Sequence, residues 1–163
     1  MVSPRPRRAV PLPAPAVNPS LRRVLAAKIV VTVVVWAAPA LLLPPRWFPV
    51  FGIPEPPLSH LVFVRLLGAA YVALITGYTL AWRAPARHPA AVLVGIVSNG
   101  LAAVVILSVG ASGGYDSWTF VGQLYIWLSA LAAAAIAVAL TVTGRSLLKK
   151  LGAERPRSTM RAV

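Results

Sequence analysis

Arg65 is the residue whose type and position carry the most chemical information in this chain. It is the one charged residue in an apolar stretch that runs from about residue 60 to 82. A charge inside a membrane span is costly and usually faces the protein interior or a water-filled cavity. We therefore expect Arg65 to point into a helix bundle, where its candidate partners are Glu55, Asp116 and Gln123. The alternative, which the residues favour slightly over ligand binding, is that Arg65 extends outward or ties down a loop.

Asn99 is the second candidate, because it lies near the middle of another apolar stretch, residues 89–110. Tyr71 lies at a matching depth in the stretch that contains Arg65. Lipid offers no hydrogen-bond partners, so two polar groups at one depth are expected to bond to each other. We interpret this pair as a contact between helices. Recognition of a polar group on a lipophilic ligand is the alternative.

Several kinds of chemistry lack the residues they need. No Asp or Glu falls inside an apolar stretch, and proton-coupled transport usually uses an ionisable group there. General acid–base catalysis would have to use tyrosines, Arg65, or the loop acids Glu55 and Asp116. The chain has no cysteine, and its two histidines are far apart, so neither a metal site nor a cofactor is predicted.

Four long apolar blocks must position these residues. Hydrophobic residues make up 58% of the 163 residues and charged residues only 12%, whereas soluble domains carry about a quarter charged residues. Each block is long enough to cross roughly 30 Å of hydrocarbon as a helix. The sequence therefore predicts an all-α integral membrane protein, a four-helix transmembrane bundle. Its predicted spans are residues 24–43, 60–82, 89–110 and 120–143.

Small residues spaced four apart predict the faces on which these helices pack, because they let helix backbones approach closely in lipid. The second span has such a stripe that starts at Arg65, and the third and fourth spans have similar ones. The predicted packing positions are Gly68, Ala69, Ala73 and Gly77 in the second span, Gly95, Asn99 and Ala103 in the third, and Ser129, Ala133 and Ala137 in the fourth.

The basic residues predict the orientation. Of the 16 Lys and Arg residues, all but Lys28, Arg46 and Arg65 lie in the two tails or in the turn at residues 83–88. Basic segments stay on the cytoplasmic side during insertion, so both termini are predicted to be cytoplasmic, in the plasma (inner) membrane of a bacterium. The net charge of +13 then reflects topology and attraction to membrane lipids, and nucleic acid is not a predicted partner.

The flanking segments complete this interpretation. Residues 1–23 are rich in Pro and Arg and are predicted to form a disordered tail. Residues 144–163 form a second basic tail, whose first part could continue as a surface helix. Lys28, one turn inside the first span, is expected to extend its amine back to the headgroups. The aromatic loop at residues 46–59 is expected to lie along the membrane surface, with a lid over a ligand as the alternative.

The stretch from Pro44 through Asn99 combines three features that carry a resemblance. A proline-flanked loop precedes a helix with Phe63-Val64-Arg65-Leu66-Leu67-Gly68, an Ala-Trp-Arg-x-Pro turn follows, and the next helix has a central Asn. The chain resembles the small four-helix bacterial membrane proteins of the DoxX-like, BphX-like and DUF4345 group. This resemblance covers the four-span core and implies a fold more than an activity. It marks Arg65, Gly68 and Asn99 as the positions to carry over.

Three functions are consistent with the sequence. The first is a non-enzymatic accessory subunit, or a binder of a lipid or small lipophile, in which Arg65 contacts an anionic headgroup or carboxylate. The second is a membrane-embedded isomerase or cyclase, with Glu55 or Asp116 as the acid and Arg65 as its partner. The third, a small transporter, is the least favoured because no span contains an acid. A membrane protein partner or a second copy of the chain is also compatible with the sequence.

Overall fold

Four helices form the fold in the computed structural model, which describes residues 18–153, and residues 150–153 by their backbone alone. They are α1 (Pro19–Leu42), α2 (Leu58–Arg83), α3 (Pro89–Ala111) and α4 (Phe120–Ala153). Each is long and apolar enough to cross a membrane, and residues 18–153 contain no strand. The predicted all-α class and four-helix bundle are confirmed, and the fold is that of a multi-pass membrane protein.

Two boundaries differ from the prediction. α1 begins at Pro19 rather than at residue 24, because the Asn18 side chain accepts a hydrogen bond from the Ser20 amide at 3.0 Å and Pro19 suits the first turn. α4 continues unbroken to Ala153, so the helix includes residues 144–153 of the predicted tail. The rest of the two predicted tails, residues 1–17 and 154–163, lies outside the described residues.

The helices form a ring in which α1 packs against α2 and α4, and α3 also packs against α2 and α4. Each helix is antiparallel to the one before it. We call the end of the bundle that carries Pro19 and the turn at residues 84–88 the terminal end. The opposite end, with the first loop (residues 43–57) and the third loop (residues 112–119), is the loop end.

The interior consists of two apolar clusters with a polar layer between them. The cluster at the terminal end contains Leu21, Leu25, Ala81, Val92 and Leu140. The cluster at the loop end contains Ile106, Tyr115, Ile126 and Ala130, with Trp36 and Trp118 packed against it. The buried polar side chains between them belong to Lys28, Thr32, Asn99 and Ser129. The third and fourth spans bury their predicted small residues here: Gly95, Ala103 and Ala133 are buried, and Ala137 is half-buried.

The packing face of α2 differs from the prediction. Ala69 and Ala73 are exposed, and a methyl group added to Gly77 would meet nothing within 4 Å. Of the predicted positions Gly68 is buried, and a methyl group on it would lie 2.6 Å from the Cγ atom of Leu41 in α1; Tyr78, which was not predicted, is buried as well. A step of four residues overshoots a helical turn by about 40°, so a strict four-residue stripe rotates off an interface within three steps.

Candidate functional site

A cavity of about 230 Å³ lies at the loop end, between α1, α2, α4 and the first loop. Among the residues that the structure describes, no charged side chain lines it; the wall is aliphatic and aromatic, with Pro39. We call it the aromatic cavity after the six side chains that dominate it. These are Trp36, Phe48, Phe51, Tyr71, Trp118 and Tyr125.

The shape of α1 at the cavity follows from one proline. Pro39 has no amide N–H, so the carbonyl of Val35, four residues earlier, lacks its α-helical donor. The helix responds with a wider π-helical segment at Thr32–Ala37. The hydroxyl group of Tyr125 on α4 donates a hydrogen bond to the Val35 carbonyl and replaces the missing donor. The sequence contains the signal for this contact, a proline inside a predicted span.

The aromatic rings of the cavity contact one another as a connected wall. The ring centroids of Trp36 and Tyr71 are 5.9 Å apart, and those of Trp36 and Tyr125 are 6.5 Å apart. Phe51 from the first loop meets Tyr125 edge-on at 5.5 Å. These spacings are in the range of favourable aromatic pairs, so the wall is formed before any ligand binds.

The first loop covers the cavity. Its 3₁₀ helix, Pro45–Phe51, ends at Gly52, whose φ of 79° is a left-handed conformation that favours glycine. The hydroxyl of Thr119 donates to the Val50 carbonyl at 2.6 Å, and a methyl group on Gly122 would overlap the carbonyl oxygen of Phe51. The first loop is therefore fastened to the third loop and to the start of α4.

Arg65 stabilises the wall of the cavity although it does not line the cavity itself. Its two terminal guanidinium nitrogens donate to the carbonyls of Ala40 and Leu43, each at 2.7 Å. The Ala40 carbonyl has no helical donor because the residue four positions later is Pro44. Both Ala40 and Leu43 line the cavity, whereas Arg65 does not.

The expected partners of Arg65 therefore have to be corrected. Its hydrogen bonds go to main-chain carbonyls at the end of α1, as in the alternative in which it ties down a loop. Glu55 and Asp116 are exposed in the first and third loops. The Gln123 side chain donates to the carbonyls of Tyr115, at 3.2 Å, and Trp118, at 3.4 Å, and so orders the third loop. Burial raises the pKa of the Tyr115 phenol in that loop.

A second polar group lies in the middle of the bundle, around Lys28. Only 6% of Lys28 is exposed, and its ammonium donates to the Asn99 side-chain oxygen at 3.0 Å. The same nitrogen lies 4.8 Å from the ring centroid of Tyr78, a cation–π distance. The Asn99 amide nitrogen donates to the Gly95 carbonyl at 2.5 Å, and the Tyr78 hydroxyl pairs with Ser98 at 3.1 Å.

Two expectations are wrong here. The Lys28 amine does not return to the headgroups; it crosses the bundle from α1 to α3. Asn99 binds Lys28 and Gly95 rather than Tyr71. Lys28 points inward because it lies on the same face of α1 as Leu21, Leu25 and Thr32, and all three of these residues are buried. That spacing of three and four residues is visible in the sequence, but other faces of this apolar helix show it too, so it does not by itself indicate an inward Lys28.

The bundle therefore has two distinct features. The aromatic cavity at the loop end can hold a ligand, and the polar layer in the middle of the bundle joins helices to one another. Comparison of the chain with protein-family models, with curated proteins and with solved structures finds no match.

Proposed function

We propose that this protein is a non-enzymatic membrane protein that binds a small lipophile in the aromatic cavity. The observation that carries this proposal is a preformed cavity whose wall, within residues 18–153, has six aromatic side chains and no charged one. Small-molecule sites are typically concave, mostly apolar and largely preformed. At about 230 Å³ the cavity is below the roughly 300–1,000 Å³ of drug-sized sites, which fits a ring-sized molecule or the ring end of a longer lipid.

The route to the cavity supports a ligand from the membrane. Leu67 belongs to the cavity wall, and 52% of its surface is exposed. In a membrane that exposed surface faces hydrocarbon. The first loop covers the other approach, because Phe48 and Phe51 belong to the wall. A lipophile dissolved in the bilayer can therefore reach the site without passing through water.

The geometry supports catalysis less well. An isomerase or cyclase that used Glu55 or Asp116 with Arg65 would need these groups within roughly 2.6–3.2 Å of the proton they transfer. Both acids are exposed in loops, and the Arg65 guanidinium is bound to the carbonyls of Ala40 and Leu43. For the same reason Arg65 acts in this proposal by holding the wall and does not contact an anionic group of the ligand.

A volume-filling variant tests the proposal. Ala40 lines the cavity, and Ala40→Phe should remove most of the space and abolish binding. The matched control is Ala73→Phe, the same change on the exposed face of α2, which should leave binding intact. The probe is 2-ethylnaphthalene, measured by equilibrium dialysis against the protein in lipid nanodiscs, with empty nanodiscs to correct for partitioning. Equal saturable binding by the two variants, or none by the wild type, would contradict the proposal.

We also propose that both termini face the cytoplasm of a bacterial plasma membrane, with the loop end outside. The arginine-rich flanks support this orientation. The chain has no cysteine, so single cysteines can report it. A membrane-impermeant maleimide should label Ser59→Cys in intact cells and Ser146→Cys only after permeabilisation, since both positions are exposed at opposite ends of the bundle. The reverse pattern would mean the opposite orientation.

A further inference from the structure

The two tyrosines of the aromatic cavity differ in what their hydroxyl groups do. The Tyr125 hydroxyl already donates to the Val35 carbonyl that Pro39 leaves free. The Tyr71 hydroxyl makes no hydrogen bond to the described residues, while Tyr71 itself belongs to the cavity wall. A phenol inside a membrane protein normally has a partner, because lipid supplies none.

The Tyr71 hydroxyl is accessible rather than enclosed. In the part of the chain that the structure describes, every fully enclosed side-chain nitrogen or oxygen has a hydrogen-bond partner. The Tyr71 hydroxyl has none there, so it must border open space. Tyr71 belongs to the wall of the aromatic cavity together with Trp36, so the cavity is an open space beside this side chain.

We propose that Tyr71 donates a hydrogen bond to an acceptor oxygen on the bound lipophile. The ligand class is then a neutral, flat, ring-containing lipophile that carries a carbonyl or a similar acceptor, rather than a pure hydrocarbon. This inference rests on the proposed function. It deepens that function by naming the polar group that orients the ligand, since an apolar site uses a few placed polar groups for specificity.

The surroundings favour a neutral ligand over a charged one. Aromatic walls can also hold a quaternary ammonium group. Here the Arg65 guanidinium lies 2.7 Å from the carbonyl oxygens of two wall residues, Ala40 and Leu43, so a second positive charge would be repelled. An anion would lose its hydration in a cavity to whose wall the described part of the chain contributes no charged side chain.

Two nearly isosteric probes test the hydrogen bond. 2-Acetylnaphthalene carries an acceptor oxygen, and 2-ethylnaphthalene does not. Tyr71→Phe removes only the hydroxyl and should weaken binding of 2-acetylnaphthalene roughly three- to tenfold, the effect of one neutral hydrogen bond, with 2-ethylnaphthalene unchanged. The control is Tyr78→Phe, whose hydroxyl pairs with Ser98 and which lies outside the cavity wall. It should alter neither probe.

The outcomes separate this inference from the proposed function. Equal binding of 2-acetylnaphthalene by the wild type and Tyr71→Phe would overturn the role of Tyr71 and leave the cavity as a lipophile site. If the wild type bound neither probe saturably, the proposed function itself would be overturned. Tighter binding of benzyltrimethylammonium than of 2-acetylnaphthalene would overturn the neutral ligand class in favour of a cationic one.

Discussion

Asn99→Leu should strongly destabilise the folded bundle, whereas Lys28→Met should not. Leucine keeps the branched shape of Asn99 but removes the oxygen that accepts a hydrogen bond from the Lys28 ammonium at 3.0 Å. That ammonium would then stay buried with only the face of the Tyr78 ring as a partner. Leaving a buried charged donor unsatisfied costs about 2–3 kcal/mol, so we expect a loss of that size in the free energy of unfolding.

The reverse substitution removes the charge itself. Lys28→Met should be close to neutral, because replacing a buried ion by an apolar side chain of similar volume is often neutral or stabilising. The double variant should then be about as stable as Lys28→Met alone, because without the Lys28 ammonium the Asn99 oxygen no longer stabilises a buried charge. Such non-additivity is the expected signature of two groups in direct contact.

Unfolding in mixed micelles of increasing SDS fraction, followed by far-UV circular dichroism, measures all three variants. Thr76→Val is the matched control: Thr76 is exposed on α2, and its hydroxyl bonds only to the Val72 carbonyl in the same helix. This control should change stability little. Additive losses in the double variant would show that Lys28 and Asn99 do not depend on each other, and would contradict the contact.

Arg65→Met is the second substitution with a large expected effect. It leaves the carbonyls of Ala40 and Leu43 without their donors at the end of α1. Hydrogen bonds to charged groups contribute about 1.5–3 kcal/mol each, so for the two bonds we expect a total loss of about 3–6 kcal/mol. Arg65→Lys should lose part of this, because a single ammonium cannot reproduce the planar fork that reaches two oxygens.

The same variant should weaken ligand binding, because both carbonyls belong to residues of the cavity wall. Arg46→Met is the control, an exposed arginine at the same end of the bundle. Stability is measured in the SDS series, and binding is measured with 2-ethylnaphthalene in nanodiscs. An Arg65→Met protein as stable as Arg46→Met, with unchanged binding, would rule out this role for Arg65.

Two prolines connect these observations. Pro39 and Pro44 each remove an amide donor from the last turns of α1, and a side chain from another helix replaces it: Tyr125 for the Val35 carbonyl and Arg65 for the Ala40 carbonyl. Because lipid cannot hydrogen-bond these carbonyls, the replacements are needed for α1 to cross the membrane. They also fix the position of the aromatic cavity, whose wall includes Tyr125, Pro39 and Ala40.

The sequence alone determined the number of helices and their approximate limits. A backbone that enters hydrocarbon must bond to itself, so each long apolar block has to be a helix. The buried small residues of α3 and α4, such as Gly95 and Ala133, also follow from sequence spacing. These properties are local: they depend on residues within one helix or on the solvent around it.

Only the tertiary structure decided which faces and partners meet. In lipid, the inward and outward faces of a helix are both apolar, so the pattern of hydrophobic residues does not reveal the rotation of α2 about its axis. That rotation, not the stripe at Ala69 and Ala73, placed Gly68 and Tyr78 inside. The contact between Lys28 and Asn99 likewise joins residues that are far apart in sequence and meet only when α1 and α3 take their places in the ring.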